Sequence, residues 1–226
     1  MWNEFQAYVS ELSPEKFFEL FRYQPNSPML FSTGLFLFLF VGFYIIYHSL
    51  QNHQRTRIFY VILFSLYFYY KTSGLWLVLL LFTATSDFFL GQLIWGAKGK
   101  IRKKLWVTLS ICINLGMLTY FKYTNFLYEL AIGLWHTVGG VMGEPLLKNL
   151  VYEPFDIFLP IGISFFTFQS LSYTIDVYRK QVQPVRRWAD YLFFVSFFPG
   201  LVAGPIVRAR DFLPQMYKKP VLSYLY

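Results

Sequence analysis

MLFSTGLFLFLFVGFYIIY, residues 29–47, carries no charged side chain along its whole length. As a helix rising about 1.5 Å per residue, it covers roughly the 30 Å of a bilayer's hydrocarbon core. The rest of the chain repeats that theme. Apolar runs follow at 58–70, at 75–95 (interrupted by Asp87), at 105–121 and at 155–177. A weaker run occupies 126–142, and another at 189–207 is broken by Pro199, Gly200, Gly204 and Pro205. Runs of this length between short polar connections predict an all-α, polytopic transmembrane protein.

Composition supports that class. Of 226 residues, 56% are hydrophobic, 23% aromatic and only 14% charged. A soluble domain carries about a quarter charged residues. The net charge of +8 invites a nucleic-acid reading, but no basic stripe on a soluble fold is apparent. Instead the cations sit in short clusters between apolar runs, which is the membrane pattern.

Ahead of the first run, residues 1–28 hold Glu4, Glu11, Glu15 and Glu19 against Lys16 and Arg22. No basic leader and no small-residue cleavage site follow the pattern of a signal peptide. Apolar positions 5, 8, 9, 12, 17, 18 and 21 predict an amphipathic helix lying at the interface. The expected organisation is therefore an interfacial segment, 1–28, and a transmembrane domain, 29–226.

The cations also predict direction. They cluster at Arg55 and Arg57, at Lys98, Lys100, Arg102, Lys103 and Lys104, at Arg179, Lys180, Arg186 and Arg187, and at Arg208, Arg210, Lys218 and Lys219. The positive-inside rule puts all four clusters in the cytoplasm and the N-terminus outside. Residues 122–154 then lie outside, with 126–142 interfacial or re-entrant. Both flanks of 189–207 are basic, so that segment enters and leaves on one side. Its prolines and glycines suit a re-entrant turn, with an ordinary kinked span as the plain alternative.

Three places hold polar groups where lipid would not accept them. Asp87 lies inside a span, either hydrogen-bonding neighbouring helices or facing a polar cavity. In LPIGISFFTFQSLSYTIDVYR, 159–179, residues Gln169, Tyr173 and Asp176 share one helical face, with Ser172 and Arg179 beside it. That seam reads equally as interhelical hydrogen bonding or as a substrate-tunnel wall, and Pro160 and Gly162 mark the start or a kink of the helix. In FFPGLVAGPIVRARDFLPQ, 197–215, Gly200, Ala203 and Gly204 allow close backbone approach. Arg208 and Arg210 follow, as interfacial anchors or as partners for an anionic group such as a donor's phosphates. Cys112, within an apolar run, is expected to be a buried, inert thiol. His48, His53 and His136 show no metal-ligand spacing, so no metal site is expected. No GxSxG, HExxH, P-loop or Rossmann pattern occurs.

Three strings, LTYFKYTNF at 118–126, LPIGISFFTFQSLSYTIDVYR at 159–179 and DYLFFVSFFPGLVAGPIVRARDFLPQ at 190–215, together resemble the membrane-bound O-acyltransferases of the alginate-acetylating type. Gly200 stands where members often carry Gln. The resemblance runs from the first span to the end of the chain, as the N-terminal half of that fold. It implies an enzyme of the bacterial inner membrane that passes acetyl, or a longer acyl group, from a cytoplasmic thioester such as acetyl-CoA towards a cell-surface polysaccharide hydroxyl. It further implies periplasmic acetyltransferase partner proteins, contact with membrane lipid, and no bound cofactor. The family's catalytic histidine belongs to a later helix, and no histidine follows His136 here, so the expected base lies beyond residue 226 and this stretch alone is expected to be inactive. Gln169, Tyr173, Asp176, Arg179, Pro205 and Arg208 match family motif positions and, with Asp87, are expected to shape the tunnel. A membrane transporter or a non-catalytic scaffold competes with this reading, but neither the spans nor the motif strings repeat internally.

Overall fold

The computed structural model describes residues 21–25, 28–142, 154–202 and 204–216, with the side chains of 138–142 left aside. Every regular element among them is helical. The interfacial helix expected over 1–28 lies almost entirely outside the described residues.

Helix α1 is Gly34–Ser49, shorter at its start than the apolar run that announces it. The reason is local. Thr33 caps the helix, its hydroxyl accepting from the Phe36 N–H at 3.3 Å and donating to the Leu30 carbonyl at 2.7 Å. Met29 is nonetheless buried, and its backbone is tied down: its N–H donates to the Lys71 carbonyl at 3.3 Å and its carbonyl accepts from the Thr72 hydroxyl at 3.2 Å.

Helix α2, Gln54–Ser73, extends beyond the expected 58–70 at both ends and takes in Arg55, Arg57 and Lys71. Lys71, which the sequence places at a span's edge, is buried, and its ammonium donates to the Arg22 carbonyl at 2.5 Å. The chain turns at Gly74, where φ is 62°, through the 3-10 turn Gly74–Trp76 into α3, Leu77–Gly96. Helices α2 and α3 have 20 residues each, a length of about 30 Å.

A larger departure follows. The sequence separates 105–121 from 126–142, whereas α4, Lys100–Leu118, continues through the π-helical turn Thr119–Tyr123 into α5, Thr124–Met142. Residues 126–142 are therefore a continuation of one helical run, not a separate piece. Lys122 does not interrupt it, because at the π-turn its side chain stays exposed with its ammonium 5.5 Å from the centre of the Tyr123 ring. The stretches Gln54–Gly96 and Lys100–Thr137 are long and apolar enough to cross a membrane, and α1 is a shorter apolar helix.

Helix α6, Ile163–Tyr178, starts directly after Pro160 and Gly162. The segment expected to be broken is broken: α7, Trp188–Ser196, ends at Phe197, α8 is Phe198–Val202, and α9, Ala209–Met216, follows an irregular stretch. At this break, a Cβ on Gly204 would fall 2.7 Å from the Gly200 Cα and 2.8 Å from the Pro199 carbonyl oxygen. Only hydrogen fits there, as the small-residue pattern of 200–204 suggests.

The chain falls into two compact units. One comprises residues up to Thr85 together with Arg186–Pro205. In it, α1, α7 and α8 pack on α2 around a phenylalanine cluster. Phe198 is its hub, with ring centres at 5.1 Å from Phe64, 5.6 Å from Phe43 and 5.8 Å from Phe68. Because α7 has ended, the Phe198 N–H has no helical acceptor, and it donates instead to the Ser65 hydroxyl at 3.3 Å. The second unit, Ser86–Val185 with residues 206 onward, is built on α6, which packs against α4 and α9.

Large apolar side chains remain exposed along α1 (Leu37, Phe38, Val41, Ile45), α3 (Val78, Phe82, Phe89), α4 (Leu105, Leu109) and α5 (Leu130, Leu134). That is a surface for lipid rather than water. Cys112 belongs to it: the expected burial is not found, because the inward face of α4 is Ser110, Asn114 and Leu118, and Cys112 lies two residues round from Ser110.

Candidate functional site

In the second unit, the contact of α3, α4 and α6 is polar at its centre. Asp87 of α3 is completely buried. One carboxylate oxygen accepts from the Ser110 hydroxyl at 2.6 Å and the other from the Asn114 amide at 2.7 Å, both on α4. Ser170 of α6 hydrogen-bonds the same carboxylate, and Thr174 brings its hydroxyl oxygen to 3.1 Å from that of Ser110. Among the described residues no cation pairs with Asp87. Both oxygens of the carboxyl group are thus met by donors of α4. In a low-dielectric setting a carboxylate persists only when so surrounded. Asp87 thus ties three helices together, while the Asn114 amide oxygen is buried without a partner.

The seam on α6 is buried as well. Tyr173 is fully enclosed, and its hydroxyl oxygen accepts from the Val185 N–H at 3.2 Å. Gln92 of α3 donates to the carbonyl of the same Val185 at 2.6 Å, so one backbone unit is held on both sides. Gly91 makes room for this: a Cβ there would lie 2.7 Å from both Cε1 and the hydroxyl of Tyr173. Gln169 is 3% exposed and Asp176 5%, yet Gln169 Oε1 and Asp176 Oδ2 have no hydrogen-bond partner, and neither does the hydroxyl of fully buried Thr167. Three unsatisfied polar atoms on a single helix are costly, about 1–3 kcal/mol each. A water, an ion or a bound polar group can satisfy such atoms.

Helix α6 ends in a Schellman arrangement. The Gln181 N–H donates to the Asp176 carbonyl at 2.9 Å and the Lys180 N–H to the Val177 carbonyl at 3.1 Å. The left-handed position of that motif, ordinarily glycine, is Lys180, with φ 60°. The conformation costs a side-chain-bearing residue about 1 kcal/mol or more.

Of the residues singled out in the sequence, Asp87, Gln169, Tyr173 and Asp176 are buried within this unit. Arg179 and Arg208 are exposed and not drawn into it, and Pro205 is exposed on the irregular stretch before α9. Arg210 is 3.7 Å from the Asp211 carboxylate. Ser110, Asn114, Ser170, Thr174, Gln92 and Gly91 complete the arrangement without having stood out in the sequence. The string at 118–126 has a local task too: Asn125 exchanges two hydrogen bonds with the Phe155 backbone, at 2.9 and 3.0 Å, and Lys122 lies 3.5 Å from the Ser164 hydroxyl. Among the described residues no group of three or more His, Cys, Asp or Glu is placed to hold a metal.

A helical assembly with lipid-facing sides and a buried polar seam defines a membrane protein with a polar interior. Comparison with known proteins makes the class specific. The chain is 34% identical over 192 residues to the probable alginate O-acetylase AlgI of Pseudomonas syringae pv. tomato, covering 83% of this chain and 34% of that protein. It is 33% identical over 194 residues to the probable alginate O-acetylase AlgI of Azotobacter vinelandii, 83% and 36% respectively. It is 31% identical over 220 residues to the peptidoglycan O-acetyltransferase of Helicobacter pylori, 84% and 39%. These matches bear out the resemblance of the motif strings to the membrane-bound O-acyltransferases. It spans about a third of the length of these curated relatives, not the half that the motifs suggest. No family model matches it, and no solved structure does.

Proposed function

We propose that this chain forms the substrate-tunnel portion of an O-acetyltransferase that moves acetyl from a cytoplasmic thioester to a cell-surface glycan hydroxyl. The supporting observation is the buried seam of α6, where Gln169 and Asp176 keep polar atoms unpartnered. In the transfer, the acceptor hydroxyl gives its proton to a base as its oxygen bonds to the acetyl carbon. The carbon–sulfur bond breaks and the thiolate takes up a proton. Enclosure in the membrane keeps water from competing for the acyl group. Asp87 is a poor candidate for the base, since both its oxygens are engaged. His48, His53 and His136 are exposed and lie outside the seam, so we assign that proton to the family's histidine in the whole protein. Relatives named for alginate and for peptidoglycan leave the final acceptor as a glycan hydroxyl, to which periplasmic partner proteins would relay the acetyl. A transporter or scaffold reading finds no support in those names.

The test is transfer of labelled acetyl from acetyl-CoA to polysaccharide in membranes bearing the whole protein. Gln169→Leu is expected to lower transfer about tenfold, one hydrogen bond's worth, with unchanged protein abundance. Wild-type rates in that variant would remove the seam from the mechanism.

We place the protein in the bacterial inner membrane with the N-terminus outside and 189–207 re-entrant, on the strength of the cation clusters. A single cysteine at position 100, in a Cys112→Ser background, is expected to resist an impermeant thiol reagent applied to intact cells and to react after lysis. Labelling from outside would invert the orientation.

A further inference from the structure

We propose that Lys180, with Arg179, is a phosphate-binding point at the basic end of α6. The inference rests on the acyl-transfer reading and names its donor class, a thioester whose carrier bears phosphate groups. The Schellman turn needs only backbone hydrogen bonds from residues 180 and 181, and glycine at 180 would supply them without strain. Lysine in that conformation signals a use for its ammonium group. A cation wanted merely to complement the helix C-terminus could sit without strain in the preceding turn. Neither Lys180 nor Arg179 has a side-chain partner among the described residues, and both are exposed. No acidic residue occurs between Asp176 and Asp190 in the chain, and the Asp176 side chain is buried and pairs with neither cation. Arg210, by contrast, already has Asp211 beside it. The turn is also held in place, because Val185, five residues on, is fastened at its N–H by Tyr173 and at its carbonyl by Gln92. A fixed turn carrying two uncompensated cations suits a doubly charged oxygen anion.

The same chemistry occurs in anionic lipid headgroups, and the experiment separates the sources. Whole protein in detergent is titrated with coenzyme A and, separately, with vesicles of zwitterionic lipid with and without phosphatidylglycerol. Thermal stability and the KM and kcat of acetyl transfer are followed in parallel. Lys180→Gly is expected to leave Tm unchanged or raised by a few degrees, to weaken coenzyme A binding about tenfold, and to raise KM with little change in kcat. Lys180→Arg restores the binding. Unchanged coenzyme A affinity in Lys180→Gly overturns the proposal. So does a loss confined to phosphatidylglycerol vesicles, which makes the turn a lipid anchor, and so does failure of the wild type to bind coenzyme A. Lys180-dependent binding without acetyl transfer keeps the phosphate site and sinks the acyltransferase reading instead.

Discussion

Phe198→Ala is expected to destabilise the protein by about 3 kcal/mol, read as a fall in Tm of the purified whole protein in detergent. In soluble cores a buried Phe→Ala costs about 3–5 kcal/mol, part from apolar transfer and part from the cavity left behind. Within a bilayer the transfer part shrinks, since the surroundings are apolar whether or not the helices are packed. What remains is packing, and Phe198 has a great deal of it. Besides Phe64, Phe43 and Phe68, its ring centre lies 5.9 Å from Phe197, 6.3 Å from Phe31 and Phe36, and 6.4 Å from Phe40. Several of these pairs meet edge to face, a geometry worth about 0.5–1.5 kcal/mol beyond area. Phe198→Leu refills most of the volume and is expected to cost about 1 kcal/mol. Equal Tm values for the alanine variant and wild type would show that the cluster repacks around the gap. The residue opens α8 at the break in 189–207, so the cluster also keeps that break in position.

How much of this was legible beforehand depends on the kind of signal. Apolar runs mark helix interiors reliably, because lipid tolerates little else. They mark ends poorly. Helix α2 includes Arg55 and Arg57, since backbone hydrogen bonding continues past a charge whose long stem can reach the interface. Lys122 misleads in the same way: a cation between Phe121 and Tyr123 reads as the edge of a span, yet the helix absorbs it with a π-turn. Asp87 and the α6 seam were visible because each is an obvious polar interruption of an apolar run. Their partners were not. Serine and threonine in an apolar helix commonly return their hydroxyl to a carbonyl one turn back, as Thr83 does to Leu79 at 2.9 Å, so Ser110, Ser170 and Thr174 look unremarkable in the sequence. Only the packing of α4 against α6 turns Ser110 and Ser170 towards the carboxylate and brings Thr174 to 3.1 Å from the Ser110 hydroxyl. Lys180 is a related case, where composition shows a cation and only the backbone angle shows that it is oddly placed.

Asp87→Ala is expected to be the most damaging change in the second unit, at about 3 kcal/mol or more. Truncation removes the acceptor and leaves the Ser110 hydroxyl and the Asn114 amide facing a void, at about 1–3 kcal/mol for each buried unsatisfied group. Water cannot readily replace the carboxylate at a position completely closed to solvent. Asp87→Asn fills the same space and keeps one acceptor oxygen. It also turns an N–H2 towards one of two donors, so about 1–2 kcal/mol is expected, partly recovered if Asn114 reverses its amide and offers its unpartnered oxygen. Ser110→Ala removes a single donor and is expected to cost about 1 kcal/mol. The ordering Ala, then Asn, then the serine variant, measured as Tm of the whole protein, is the signature of a carboxylate that holds helices together. Acetyl transfer provides the discriminating readout. If Asp87 acts through structure alone, the asparagine variant transfers acetyl at a rate within a few-fold of wild type once matched for folded protein. Loss of transfer in a variant that keeps its Tm would instead put the carboxylate into the chemistry.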